Sequence, residues 1–145
     1  MKTKEFLSRL DHERIVAAIS AAEKTTSGEI RVFVQRGEMK GDALPLAERK
    51  FQSLGMQKTA ERNAILIFVA PRAQKFAVVG DEGVHAKCGA EFWQALVDAM
   101  RDYFKRDAFT EAIVHGVERA GQLLARYFPR QSDDRDELSN EVIEG

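Results

Sequence analysis

The stretch Asn63-Ala-Ile-Leu-Ile-Phe-Val-Ala70 decides the fold of this chain. Its apolar residues are consecutive rather than alternating, which predicts a central β-strand covered on both faces. The preceding segment, from Glu29 to Gln35, alternates apolar and mostly polar residues and therefore predicts a half-buried strand. The segment from Lys75 to Val79 predicts a third strand, joined to the central one by a tight turn that begins at Pro71.

Helical patterns precede and separate the first two strands. Asp11 is the expected N-cap of a helix that turns Ile15 and Ile19 inward, and a short helical turn around Phe6 is expected before it. A second helix is predicted to begin after a cap at Asp42 and to end at Gly55. Its inward face is expected to consist of Leu44, Ala47, Phe51 and Leu54.

Two more helices are predicted after the third strand, from about Glu91 to Arg106 and from a cap at Asp107 to a stop at Pro129. The order of elements is therefore α-β-α-β-β-α-α. A helix between two strands favours a right-handed parallel crossover, and the tight turn favours an antiparallel hairpin. The predicted fold class is α/β, with a small mixed β-sheet sandwiched between helices on both faces.

Composition limits the size and the class of this protein. The 145 residues, 44% of them hydrophobic, suffice for one core, so residues 1–129 are predicted to form a single domain. Residues 130–145 are predicted to form an acidic C-terminal tail, packing loosely through Leu138, Val142 and Ile143 or left mobile.

Charge and cysteine content narrow the expected partners. The 22 basic and 23 acidic residues nearly cancel, so we expect no nucleic-acid binding, and no apolar run is long enough for a membrane span. The tail is a candidate for binding basic surfaces. One cysteine, Cys88, and the absence of a secretory signal pattern predict a cytoplasmic location.

The predicted topology brings polar residues together at one edge of the sheet. The starts of two parallel strands meet the end of an antiparallel third strand there, and the oxygen-bearing side chains at this edge are typical ligands of calcium or magnesium. The candidate metal ligands are Glu29, Glu61, Asn63, Asp81 and Glu82. The simpler interpretation is that these are solvated charges at strand ends, with Arg62 paired to one of the acids.

Other candidate sites are weaker. Arg36 and Arg72 are expected at the opposite edge, where they form either an anion site or ordinary surface. His85 and Cys88 lie within one helical turn of each other. They are either a pair in which His85 stabilises a Cys88 thiolate, or a small buried thiol beside a solvated imidazole. No Walker loop, GxSxG elbow, HExxH helix or zinc-ligand spacing occurs in the sequence.

Four segments, in order and spacing, resemble the TPM domain family, over roughly Asp11 to Phe128. They are Ser27-Gly-Glu-Ile-Arg-Val, Asn63-Ala-Ile-Leu-Ile-Phe-Val-Ala, Phe76-Ala-Val-Val-Gly-Asp-Glu-Gly and Phe109-Thr-Glu-Ala-Ile-Val-His-Gly. The resemblance implies a helix-flanked mixed sheet. It also implies diverse roles, since members include a thylakoid-lumen protein reported as an acid phosphatase and a subunit associated with a nematode acetylcholine receptor. Some members bind calcium or other divalent cations.

Typical relatives carry a signal peptide and a membrane anchor, so this sequence resembles a cytosolic, stand-alone variant. Two functions are predicted. The first is a non-catalytic module that binds a divalent cation, with calcium the leading candidate, or a protein partner. The alternative is a weak metal-assisted phosphatase acting on phosphate monoesters, with Arg62 as the one catalytic candidate. No organic cofactor is expected.

Overall fold

A computed structural model describes residues 1–130 and 142–145. The helices are α1 (Thr3–Ser8), α2 (His12–Glu23), α3 (Ala43–Ser53), α4 (Glu82–His85), α5 (Ala90–Lys105) and α6 (Phe109–Tyr127). The strands are β1 (Glu29–Val34), β2 (Ala64–Ala70), β3 (Lys75–Gly80) and β4 (Ile143–Glu144). None of the helices in the described part of the chain has the length and apolar character needed to cross a membrane.

The four strands form one mixed sheet in the order β3-β2-β1-β4. β1 and β2 run parallel, from Glu29 opposite Ala64 to Val34 opposite Val69, as the helical crossover predicts. β2 and β3 form the predicted antiparallel hairpin, with Ile67 opposite Val78. The predicted α/β class and the mixed sheet are therefore confirmed.

Helices cover both faces of the sheet, and each face has its own apolar cluster. Ile30, Ile65 and Ile67 point toward a cluster that includes residues of α1, α2, α5 and α6. Leu66 and Phe68, which alternate with them, point toward α3. The unbroken apolar run of β2 follows from this arrangement, because neither of its faces contacts water.

Local signals locate several helix ends correctly. The Asp11 carboxylate accepts a hydrogen bond from the backbone N–H of Arg14, so the predicted N-cap of α2 is confirmed. Gly55 follows α3 with a φ of 73°, as expected of a helix-ending glycine. Asp42 stands at the N-cap position of α3, although its side chain makes no capping hydrogen bond.

Two predictions about the helices are wrong. Leu44 does not belong to the inward face of α3, because its side chain is 51% exposed beside the edge of the sheet. Asp107 does not cap α6, since the N-cap is Ala108 and Asp107 adopts a φ of 57° in the turn before it. The short helix α4 and the strand β4 were not predicted.

β1 is more deeply buried than its alternating sequence indicates. All six of its residues are buried, including Glu29 and Arg31 on the side that was predicted to face water. Burial lowers the pKa of Arg31, and the nearby charges of Glu29 and Glu23 partly offset that effect. Neighbouring carboxylates thus make it possible to bury a charged face.

The chain itself covers the outer edge of β1. Glu23 accepts a hydrogen bond from the N–H of Ile30 at 2.9 Å, near the start of the strand. At its other end β4 adds as a parallel strand, and Gly145 donates its N–H to Val34 and accepts the N–H of Arg36. Val142 and Ile143 therefore pack against the domain, whereas Leu138 lies outside the described residues.

Candidate functional site

Arg62 joins the end of β3 to the loop before β2. Its Nε donates to Oδ2 of Asp81 at 2.8 Å, and its Nη2 donates to Oδ1 of Asp81 at 2.9 Å. Its Nη1 donates to Oε1 of Glu82 at 3.1 Å. Asp81 is 5% exposed, whereas Glu82 is 73% exposed, so the guanidinium neutralises one buried and one solvated carboxylate.

The backbone around this cluster has little freedom. Arg62 adopts a φ of 53°, which turns the chain sharply just before β2 begins. The Asp81 carboxylate also accepts the N–H of Glu82 and begins α4. Gly83 then donates its N–H to the carbonyl of Arg62 at 2.9 Å. A Cβ at Gly83 would lie 2.5 Å from that carbonyl oxygen, so the close approach requires glycine.

A second polar network lies at the starts of β1 and β2. Oε2 of Glu61 accepts hydrogen bonds from Oγ of Ser27 at 3.1 Å and from Nδ2 of Asn63 at 3.3 Å. Nδ2 of Asn63 also donates to Oγ of Ser27 at 3.2 Å. These side chains satisfy one another and tie the two parallel strands together.

The five predicted metal ligands are therefore distributed over two hydrogen-bonded groups and one buried strand position. Asp81 and Glu82 bind Arg62, Glu61 and Asn63 bind each other, and Glu29 is 1% exposed within β1. Within residues 1–130 and 142–145, no three His, Cys, Asp or Glu side chains gather as a metal-binding group. A cation bound by Asp81 and Glu82 would compete with the Arg62 guanidinium that pairs with both.

The other predicted sites also have structural partners. Arg36 pairs with Glu144 at 2.9 Å, and Arg72 pairs with Glu38 at 3.4 Å, so both arginines of the opposite edge already contact a carboxylate. Burial raises the pKa of the Cys88 thiol, with the Trp93 indole offsetting part of the rise. A raised pKa favours the neutral thiol over a reactive thiolate, which supports the simpler interpretation of Cys88.

A groove of about 1500 Å³ runs along the outer edge of β3, a feature that the sequence analysis did not identify. α3 contributes one wall, including Ala43 and the exposed Leu44. α5 contributes the other, including Trp93 and Phe104. Trp93 lies so close to Gly80 that a Cβ there would be 2.7 Å from its indole ring, whereas Phe104 contacts Phe76 with ring centroids 4.9 Å apart.

The floor of this groove presents backbone hydrogen-bonding groups. Asp81 donates its backbone N–H to the carbonyl of Ala64 in β2 at 2.9 Å. In an antiparallel pair, residues that direct their backbone groups toward the partner strand alternate with residues that direct them away from it. The N–H and C=O groups of Phe76, Val78 and Gly80 therefore point away from β2. Within the described residues, no other element makes a backbone hydrogen bond to them.

The TPM domain family model matches residues 1–123. The NMR structure of BA42 protein from the psychrophilic bacterium Bizionia argentinensis is similar to this chain at 38% identity. The match covers 94% of this chain and 96% of BA42 protein, with a TM-score of 0.85.

A second solved structure, the N-terminal domain of cg2496 protein from Corynebacterium glutamicum, shares the fold at 17% identity. Its match covers 77% of this chain and 70% of that domain, with a TM-score of 0.59. None of the curated proteins matches this sequence. The family-model match spans most of the chain, which therefore belongs to the TPM domain family.

Proposed function

We propose that this chain is a non-catalytic binding module that receives an extended segment of a protein partner along the outer edge of β3. The observation that carries the proposal is the row of outward backbone groups at Phe76, Val78 and Gly80, which forms the floor of an apolar groove. An added strand would bond to these groups, and its side chains would alternate between the walls formed by α3 and α5.

The contrast between the two sheet edges supports this proposal. Glu23 and β4 cover the edge of β1, so the chain protects that side from unwanted pairing. Natural edge strands are commonly protected by charges, proline or bulges. β3 has the sequence Lys75-Phe-Ala-Val-Val-Gly80, with one charge and no proline, and the described residues provide no further strand beside it.

An NMR titration tests the proposal with a capped peptide that copies residues 75–82, KFAVVGDE, as the probe strand. We expect saturable shifts of the amides of Phe76, Val78 and Gly80, with smaller shifts along α3 and α5. The control peptide KFAPVGDE lacks one backbone donor and should bind at least several-fold more weakly. Equal shifts with both peptides, or no shifts when millimolar KFAVVGDE is added to dilute, monomeric protein, would contradict strand addition.

The geometry also supports a divalent cation as a second candidate ligand, because Asp81 and Glu82 already turn toward one positive charge, the Arg62 guanidinium. A calcium ion would use their oxygen atoms in its place. Saturable calcium-dependent shifts at residues 27–29, 61–63 and 80–83, lost in the Asp81→Ala/Glu82→Ala variant, are the expected result. Shifts that persist in the variant would argue against this site.

Phosphatase activity depends on the same cation and has less support. The Nε, Nη1 and Nη2 donors of Arg62 all bind carboxylates, so this side chain would have to leave them to contact a phosphoryl oxygen. Hydrolysis of an aryl phosphate with calcium, magnesium or manganese, abolished in Asp81→Ala/Glu82→Ala, would favour the enzyme. Undiminished hydrolysis in that variant would exclude this site as its source.

A further inference from the structure

We propose that the segment best suited to the open edge is β3 of a second copy of this chain, paired antiparallel about a two-fold axis at Val78. This inference rests on the proposed function, because it names the partner that occupies the same groove. The result is a symmetric dimer in which two four-stranded sheets become one continuous sheet.

The register follows from the outward backbone groups. With Val78 opposite its own copy, Phe76 lies opposite Gly80 of the second copy, and both residues use outward N–H and C=O groups. Gly80 has no side chain, and the indole of Trp93 occupies the space where a Cβ would lie. Trp93 covers the backbone of Gly80, and Phe76 of one copy therefore meets an indole ring of the other.

Charge is arranged with opposite signs at the two ends of β3. Lys75 begins the strand, and Arg101 and Lys105 line the groove at this end, where Arg101 lies 5.9 Å from the ring of Phe76. Asp81 and Glu82 follow the strand at its other end and, together with the Arg62 guanidinium that pairs with both, carry a net formal charge of −1 there. An antiparallel copy brings each basic end beside the other copy's acidic end, whereas a parallel copy would place like charges together.

The rest of the groove lining is also compatible with a second copy. The acidic lining residues are Glu48, Glu82 and Asp107 and the basic ones are Lys75, Arg101 and Lys105, so their formal charges cancel. Leu44, the one exposed large hydrophobic side chain in the described part of the chain, lines the groove. Pairing through β3 would remove that side chain from water.

The covered edge of β1 explains why association should stop at two copies. A sheet with two open edges can add copies at both sides and grow into a filament. Here Glu23 and β4 occupy the far edge, and a two-fold β3 contact uses the near edge of both copies. The assembly therefore closes as a dimer.

The test is sedimentation equilibrium of the full chain from micromolar to millimolar concentration. The wild type should approach twice the monomer mass of 16.3 kDa, and Val78→Pro, which removes an outward N–H, should stay monomeric with an unchanged circular dichroism spectrum. A wild type that remains monomeric at millimolar concentration, or a dimer that Val78→Pro leaves intact, would overturn the inference.

Charge exchange tests the antiparallel register without altering the strand. Arg101→Glu/Lys105→Glu and the single change Glu82→Lys should each raise the dimer dissociation constant on the order of tenfold, because each change is made at two symmetric contacts. Combining all three changes in one chain should restore dimerisation. Arg119→Glu, at an exposed position of α6 outside the groove, is the matched control and should have no effect.

The peptide titration separates this inference from the proposed function. A monomeric chain that binds KFAVVGDE at Phe76, Val78 and Gly80 has an edge that accepts strands, but its partner is a different protein; the self-pairing inference then fails alone. A chain that neither dimerises nor binds the peptide contradicts both. Loss of dimerisation without rescue in the combined charge variant would overturn the register.

Discussion

The guanidinium of Arg62 holds the carboxylate of Asp81 through two hydrogen bonds of 2.8 and 2.9 Å. The hydrogen bonds that Arg62 donates to the Asp81 carboxylate raise the pKa of Arg62. Because the pKa is raised in the folded state, protonated Arg62 stabilises the fold. This stabilisation is fully present below the ordinary pKa of arginine and is lost only as the pH rises through the raised value. Arg62 therefore stays charged throughout the neutral and moderately alkaline range.

Replacing Arg62 tests whether its charge occupies a cation site. Arg62→Gln removes the positive charge that pairs with the buried Asp81 carboxylate and the exposed Glu82 carboxylate. We expect the calcium dissociation constant, measured by titration calorimetry, to fall on the order of tenfold because the competing charge is gone. Arg119→Gln, which removes a charge on α6, is the control. Equal calcium affinity in the wild type and both variants would show that Arg62 does not compete with a cation.

Gly83 should tolerate no side chain. Gly83→Ala drives a Cβ into the carbonyl oxygens of Glu61 and Arg62, which are backbone atoms and move little. The expected loss in the free energy of unfolding is roughly 1–3 kcal/mol, typical of forced overpacking. Urea unfolding measures it. Gly89→Ala adds the same methyl group in open space and should cost less, no more than about 1 kcal/mol, because Gly89 is the N-cap residue of α5 and alanine is a poorer cap than glycine. Similar losses in both variants would contradict the proposed clash.

The last three residues should stabilise the domain. Deleting residues 143–145 removes β4, the backbone hydrogen bonds of Gly145 to Val34 and Arg36, and the ion pair between Arg36 and Glu144. Loss of the two Gly145 hydrogen bonds alone predicts a decrease of about 1–3 kcal/mol in the free energy of unfolding by urea, and loss of the β1–β4 pairing adds to it. Glu144→Gln, which removes only the surface ion pair, should cost less than about 1 kcal/mol. A deletion variant with the wild-type unfolding midpoint would contradict docking of this strand.

Cys88 should make the protein less stable in alkaline solution. Its pKa is raised by burial, so the folded state retains the thiol proton more strongly than the unfolded state does. Below the ordinary thiol pKa this difference does not change the free energy of unfolding. As the pH rises above about 9, the unfolded state loses its thiol proton first and the folded protein becomes less stable. Between neutral pH and pH about 10, the free energy of unfolding of the wild type should therefore decrease relative to that of Cys88→Ala. A pH-independent difference would contradict the raised pKa.

The sequence predicts the main elements well because their signals are local. The apolar run of β2, the Asp11 cap and the left-handed Gly55 each depend on nearby residues, and the structure contains all three. The contact between Ile143 and Phe33 depends on a return of the chain over more than a hundred residues. No local period indicates such a contact, so β4 was missed.

The candidate site was predicted less completely for a similar reason. Topology placed Glu61, Asn63, Asp81 and Glu82 at one edge, but their hydrogen bonds depend on the positive φ of Arg62 and on α4. The exposure of Leu44 and the groove beside it depend on which strand ends the sheet. Strand order is a long-range property, and the alternation of apolar residues does not determine it.

Amide hydrogen exchange along β3 tests the central claim most directly. In dilute protein, Ala77 and Val79 bond to β2 and should exchange slowly, whereas Phe76, Val78 and Gly80 point outward and should exchange faster. Adding excess KFAVVGDE should slow exchange at those three outward amides and leave the inward ones unchanged. Uniform protection along β3 at every dilution, or outward amides that the peptide does not slow, would contradict the account of β3 as an open, strand-accepting edge.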